Sequence, residues 1–263
     1  MKRYTAPAFD RKIISLCSSW IYCKESFAET FETLYRAGTF CVSGSGEKIW
    51  ETRNKYVHKV PLESGGSIVC KGFRRIPRPH VYMLRPSQCG FEALNYQRIA
   101  DLGIPLPEFL AVGEVRRGFL LKDAFFVTRF AEGFLDGRSF MPGAPQADDG
   151  ALKEEFLSRH LTLLARCHDA GIFHRGFTPA NIMWKMRSAP DSEGNKLDLL
   201  WIDLASCRRL PLFSAAKCCA KDISMCLKPL ELPLSQRDSL IELYCSSRQK
   251  KAPGSKTLKA LLG

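Results

Sequence analysis

His174-Arg175-Gly176-Phe177-Thr178-Pro179-Ala180-Asn181-Ile182, followed by Leu199-Leu200-Trp201-Ile202-Asp203-Leu204, holds the residues that decide the fold. The run from Leu197 to Ile202 is short and apolar apart from Asp198, which predicts a buried strand that delivers Asp203 rigidly at its end. An Asn carbonyl on one loop and an Asp carboxylate at a strand end are hard oxygen donors. Such donors hold magnesium against the oxygens of a transferring phosphoryl group. Asn181 and Asp203 fit those two roles. Singly, each also admits a plain reading, Asn181 as a turn residue after Pro179 and Asp203 as a helix cap. Their order, with Leu164, His168, Gly171 and His174 ahead of them, favours the chemical reading.

Against the kinase catalytic-loop pattern H-R-D-L-x-x-x-N the His-to-Asn spacing agrees (181 − 174 = 7) and the catalytic position departs. Gly176 stands where the catalytic Asp belongs. Further features are Ile68-Val69-Cys70-Lys71, Glu92-Ala93-Leu94-Asn95, Leu102-Gly103-Ile104-Pro105-Leu106-Pro107, Val112-Gly113-Glu114 and Cys167-His168-Asp169-Ala170-Gly171-Ile172. With these, residues 67 to 210 resemble the lipopolysaccharide kinase family, small bacterial kinases that phosphorylate Kdo or heptose in the lipopolysaccharide inner core. The resemblance implies an α+β, two-lobed protein-kinase-like fold with a minimal helical C-lobe. Its N-lobe would span 1–130, an N-terminal helical segment plus a β-sheet and one helix, and its C-lobe 131–263. It implies ATP and magnesium as cofactors and an anionic glycolipid as substrate. Lys71 would contact the α and β phosphates, held by Glu92, and the hinge backbone at Arg129, Phe130 and Glu132 would bind adenine. Only 60 residues follow Asp203 (263 − 203), too few for a large peptide-binding helical subdomain, so a glycolipid or small-molecule acceptor fits better.

Upstream, Tyr56 to Leu62 and Ser67 to Phe73 flank Glu63-Ser64-Gly65-Gly66 and predict a hairpin with Lys71 on its second strand. A helix is expected from about Ser87, a polar N-cap, to Leu102, with Gly103 as its stop. Glu92 lies on it. The bland alternatives are a solvated strand lysine and an exposed helix acid. Ser43-Gly44-Ser45-Gly46 offers glycines that let backbone amides approach phosphate, yet it reads at least as well as an ordinary turn. Phe27, Phe31, Leu34 and Tyr35 recur at helical spacing near the N-terminus, Ala124 to Phe130 reads as a strand, and 133–150 reads as a loop next to the sugar acceptor. Leu157, Leu161, Leu163, Leu164 and Cys167 mark a helix from Leu152 to Ala170 that would carry the catalytic loop.

The net charge of +12, from 39 basic and 27 acidic residues, favours an anionic partner. Lys71, Arg74, Arg75, Arg78 and Arg85 form a basic run read equally as a solvated loop or a surface for phosphorylated substrate or headgroups. Aromatic interleaving of the kind that stacks bases is missing there, against nucleic acid. The tail from Ser246, with Lys250, Lys251, Lys256 and Lys259, is basic, either loosely ordered or a membrane-surface contact. No run approaches the eighteen or so apolar residues of a membrane span, and no secretory cleavage pattern follows Ile13 to Cys23. Eleven cysteines without a C-x-x-C spacing are expected as reduced core thiols. A zinc site from Cys167, His168 and His174 matches no structural zinc spacing. The expectation is a cytoplasmic protein with a peripheral contact on the cytoplasmic face of the inner membrane.

Losing a general base typically costs about 10² to 10⁴-fold in rate. Phosphoryl transfer depends mainly on positioning and electrostatics, so Lys71, Asn181, Asp203 and magnesium could still support it, with Asp148 or Asp149 as substitute acids. Two readings follow: a lipopolysaccharide kinase that works without the usual base, or a pseudokinase that binds nucleotide or a partner without efficient transfer.

Overall fold

The computed structural model describes the chain except residues 6–8, 10, 41–45, 74–75, 77, 193, 212–213, 250–254 and 263. The chain forms two compact units, Met1–Arg98 with Pro107–Glu132, and Ile99–Leu106 with Gly133–Gly263. Residues 99–106 thus group with the C-terminal part. Trp201 N–H donates to Pro105 O (3.0 Å) and Arg166 Nη1 to Leu102 O (3.2 Å), which ties this segment there.

The first unit is built on a sheet of seven strands among the described residues: β1 (Lys2–Thr5), β2 (Trp20–Cys23), β3 (Glu47–Glu51), β4 (Lys55–Pro61), β5 (Ser67–Phe73), β6 (Phe109–Arg117) and β7 (Leu120–Arg129). Their order is β1-β2-β6-β7-β5-β4-β3. β4 and β5 form the expected hairpin. Gly65 (φ 92°) and Gly66 (φ 74°) supply the left-handed backbone of its turn, and Leu62 N–H bonds Gly66 O at 3.0 Å. Directly opposed residues share a face, and the alternation is clean. Tyr56, Val60, Ile68, Cys70, Phe125 and Val127 turn to one side, where they bury against Phe27, Phe31 and Phe40. Phe31 belongs to helix α1 (Ala28–Arg36), the helix expected from the aromatic spacing. The strands β1 and β2 ahead of it were not expected, because four buried residues in a row, Trp20 to Cys23, carry no period-two signal.

The opposite face is covered in part by helix α2 (Gln88–Ala100). The Ser87 hydroxyl accepts from Gly90 N–H (3.0 Å), the polar cap expected there, and Gly103 (φ 68°) follows the helix. Tyr96 of α2 packs its ring against Phe109 and Phe126, at centroid distances of 5.8 and 5.6 Å.

In the second unit helix α3 (Gly150–Asp169) buries Phe156, Leu157, Leu161 and Leu164. The segment 133–150, expected as a loop, contains β8 (Leu135–Asp136) and a tight turn at Gly137–Phe140. β9 (Ile172–Phe173) leads into the stretch from His174 to Asn181, and β10 (Ile182–Met186) pairs antiparallel with β11 (Leu197–Trp201). β12 (Arg208–Arg209) pairs with β9. Helices α4 (Ala215–Leu227), α5 (Leu234–Ser246) and α6 (Ser255–Leu262) complete the unit. Among the described residues no helix is long and apolar enough to cross a membrane.

Candidate functional site

In the first unit Lys71 stands on β5 between Val57 of β4 and Phe126 of β7. Its Nζ donates to Glu92 Oε1 at 2.6 Å, with the Glu92 side chain 5% and the Lys71 side chain 22% exposed. A carboxylate this deeply buried is costly unless matched by a cation, so α2 is tied to β5 by this pair.

The segment after β7 is partly self-satisfied. Arg129 N–H donates to Glu108 O (2.8 Å), Phe130 N–H to Ser67 O (2.9 Å) and Glu132 N–H to Phe130 O (3.1 Å). A base approaching this backbone therefore meets carbonyls and the Ala131 N–H rather than the amides of Arg129, Phe130 and Glu132. Lys59 lies 4.0 Å from the Phe130 ring centroid and 3.6 Å from Glu132 Oε2.

Residues 43–45 of the glycine-containing stretch lie outside the described residues, as do Arg74 and Arg75 of the basic run. A Cβ on Gly46 would sit 2.9 Å from Lys59 O, so this glycine is pressed against β4. A cavity of about 790 Å³ beside it is lined by Glu29, Glu47 and Glu63 as well as Lys59, and not by Lys71. Three carboxylates make it a poor seat for phosphates.

In the second unit the β10–β11 ladder ends at Ile182 opposite Trp201. One more bond, Ile202 N–H to Asn181 O (3.0 Å), carries the pairing onward, so Asp203 emerges directly after a residue bonded to Asn181. The Asn181 side-chain amide donates one of its two N–H groups to Gly176 O (2.8 Å), which fixes its orientation and leaves Oδ1 as an acceptor on the other side. Arg175 (φ 63°) and Asp203 (φ 58°) both hold left-handed backbone. Such conformations cost on the order of 1–2 kcal/mol in non-glycine residues and concentrate at functional sites. Burial lowers the His174 pKa, so its ring is neutral, and its Nδ1 accepts Gly176 N–H (3.3 Å). The Ser206 hydroxyl donates to His174 O (3.0 Å).

The residue that anchors this loop is Asp222 of α4, fully buried. Its carboxylate accepts His174 N–H (2.7 Å) and Arg175 N–H (2.8 Å) and meets His168 Nε2 (3.2 Å). His168 Nδ1 contacts the Tyr244 hydroxyl (2.7 Å), which also takes a bond from Arg248, itself paired with Asp169 (2.6 Å). Burial alone would lower the His168 pKa, but its bonds to Asp222 and Cys219 leave it above the usual histidine value. The sequence reading missed Asp222. An acid among Cys219, Ala220, Ile223 and Cys226, all buried on one helix, was the available signal. Asp222→Asn is expected to lower the unfolding free energy by about 3 kcal/mol in chemical denaturation, since buried backbone donors and His168 lose their counter-charge. A change under about 0.5 kcal/mol would show that the loop is held by something else.

Asp149, one of the candidate substitute acids, caps α3 by accepting Leu152 N–H (3.0 Å). Among the described residues no group of three His, Cys, Asp or Glu side chains converges on a metal position, Cys167, His168 and His174 included.

A sequence model of the lipopolysaccharide kinase (Kdo/WaaP) family matches residues 82–243. A comparison with curated proteins found no match. Among solved structures, the chain is similar to a WaaP solved in complex with acyl carrier protein, with TM-score 0.63 and 16% identity, over 92% of this chain and 94% of that one. It is less similar to the BubR1 kinase domain (TM-score 0.49, 11% identity, 82% of this chain and 77% of that one). The Rio2 kinase of Chaetomium thermophilum in an ADP/Mg2+-phosphoaspartate complex gives TM-score 0.46 and 16% identity, over 90% of this chain and 65% of that one. The mixed sheet-and-helix architecture is that of a protein-kinase-like fold.

Proposed function

Because the chain belongs to the lipopolysaccharide kinase (Kdo/WaaP) family, we propose that it transfers the γ-phosphoryl group of ATP to a hydroxyl of an inner-core sugar, Kdo or heptose. The observation that carries this reading is the coupling of Asn181 to Asp203 through the Ile202 N–H, with Asp203 in left-handed backbone at the strand end. Two protein oxygens, Asn181 Oδ1 and the Asp203 carboxylate, suit magnesium, which keeps waters and substrate phosphates as its remaining ligands. When bound, the ion neutralises charge on the transferring group.

The chain's own residues do the rest. Lys71, held by Glu92, contacts the α and β phosphates, and the Ala131 N–H with the carbonyls near Arg129, Phe130 and Glu132 receives adenine. Asp222 fixes the His174-Arg175 backbone so that Asn181 keeps its place. The +12 charge suits an anionic glycolipid presented at the cytoplasmic face of the inner membrane. A second reading, a pseudokinase, is favoured by one observation: Gly176 leaves the base position without a carboxylate.

The test is transfer of label from γ-labelled ATP to purified inner-core lipopolysaccharide, with and without magnesium, alongside thermal stabilisation by ATP. Magnesium-dependent labelling of the glycolipid is the expected result. Stabilisation without labelling would move the assignment to the pseudokinase, and neither effect would defeat both readings.

A further inference from the structure

Apolar side chains exposed singly need no explanation, but a contiguous set of them does. Two stretches of the first unit carry such a set: Met83 and Leu84, 38% and 84% exposed, and Phe119 and Leu120, 49% and 38% exposed. Both stretches lie in defined turns. Arg78 (φ 55°) leads the chain into a tight turn at Pro79–Tyr82, with Met83 and Leu84 directly after it. Gly118 (φ 57°) supplies the left-handed residue of the β6–β7 hairpin tip, where Arg117 pairs with Leu120 and Phe119 stands at the turn.

A buried guanidinium fastens the two stretches together. Arg116 Nη1 donates to Tyr82 O (2.9 Å) and to Phe119 O (3.2 Å), and its Nη2 donates to Arg85 O (3.3 Å). The charge is matched by Glu114 at 2.6 Å, both side chains being fully buried, and Glu114 Oε1 also accepts Ser87 N–H (2.7 Å). The backbone is thus held on both sides of Met83 and Leu84, at Tyr82, Arg85 and Ser87, while those two side chains stay in water. A slack loop cannot account for their exposure.

The rim of this patch is basic. Arg78 and Arg85 flank the first stretch and Arg117 and Lys122 the second, all of them exposed. Lys122 is the extra residue of a bulge, since Val115 pairs with Asp123 but Arg116 with Leu121. Residues 11–19, which reach Arg116 through Leu16 O (3.4 Å), and residues 71–91 and 115–122 contain no aspartate or glutamate. The acids that border them are engaged, Glu92 with Lys71, Glu114 with Arg116, and Asp123 with the Ala124 N–H (2.8 Å). Apolar tips inside a ring of cations match a bilayer, whose anionic headgroups meet the cations and whose acyl region takes the tips. Nucleic acid would satisfy the cations but give Leu84 and Phe119 nothing apolar to meet. We infer that this face of the first unit docks on an anionic phospholipid surface, with Met83, Leu84, Phe119 and Leu120 inserted below the headgroups. The inference rests on the membrane-facing part of the function proposed above and gives that contact a place.

The test is co-sedimentation of the full chain with vesicles of phosphatidylcholine alone and of phosphatidylcholine with phosphatidylglycerol. Expected are binding to the anionic vesicles only and its loss in high salt. Leu84→Ser combined with Phe119→Ser keeps every charge and should weaken binding about tenfold. Arg85→Gln combined with Arg117→Gln should weaken it about 30-fold, at about fivefold per cation. Ile49→Ser combined with Trp50→Ser removes an exposed apolar pair on the edge strand β3 and should bind as the native chain does. Melting temperatures within about 2 °C of native control for folding in all three variants. Undiminished binding by either patch variant would overturn the proposal by placing the contact elsewhere, the basic tail included. A native chain that ignores both kinds of vesicle would overturn it as well. Thermal stabilisation by ATP, measured on the same preparations, reports nucleotide binding separately, so a chain stabilised by ATP but indifferent to vesicles loses this surface alone.

Discussion

Asp203→Asn is expected to cut phosphoryl transfer by about 10³-fold with magnesium present, because it removes the charged oxygen donor and keeps the shape. Asn is the informative replacement. Asp203 holds left-handed backbone (φ 58°), which Asn tolerates as well as Asp does, whereas Ala adds a steric cost of order 1 kcal/mol. The Asn variant should therefore unfold within about 1 kcal/mol of the native chain, and a rate loss can be assigned to the metal position. The same substitution should shift the magnesium dependence of ATP-induced stabilisation to higher concentration, which gives a readout even where transfer is too slow to follow. Retention of more than about a tenth of the native rate, with unchanged magnesium dependence, would show that Asp203 is not a metal donor.

Much of this site was legible because it lies along the chain at fixed spacing. Lys71 sits on the second strand of the hairpin marked by Gly65-Gly66, and Glu92 on the helix marked by Ser87 and Gly103. Asp203 follows a strand whose apolar run was plain in the sequence, and Asn181 precedes the strand that pairs with it. What escaped notice is set by tertiary structure. Asp222 lies 41 residues beyond Asn181 (222 − 181) on another helix, and only the fold brings its carboxylate to the His174 and Arg175 amides. Leu84 and Phe119 lie 35 residues apart (119 − 84 = 35) and are joined through Arg116, and an apolar residue in a turn carries no mark of whether it faces inward or outward. The segment near Arg129 shows a third kind of limit, since backbone donors have no residue signature and three of them prove to be spent internally.

Gly176→Asp separates a site that lacks only its base from one that no longer transfers. Gly176 is not among the glycines with left-handed φ, so an L-residue is free of backbone strain there. A Cβ at this position would lie 3.1 Å from Ser206 Oγ, 3.6 Å from Asn181 Nδ2 and 3.7 Å from His174 Nδ1. Ser206 has to yield by a few tenths of an ångström. The Ser206 hydroxyl already donates to His174 O, but Asn181 Nδ2 uses one of its two N–H groups on Gly176 O, and the second is a donor the new carboxylate can accept from. The expected result is a gain in phosphoryl transfer of about 10²-fold or more, the usual contribution of a positioned general base. Gly176→Ala supplies the steric control and should give no gain. The gain should also depend on pH, rising as the carboxyl ionises and levelling above it, because only the carboxylate accepts the sugar hydroxyl's proton. If Gly176→Asp folds normally and transfers no faster than Gly176→Ala, the loop from His174 to Asn181 does not present its third residue to the acceptor. The assignment of this stretch as a catalytic loop would then be wrong, whatever the nucleotide affinity of the chain.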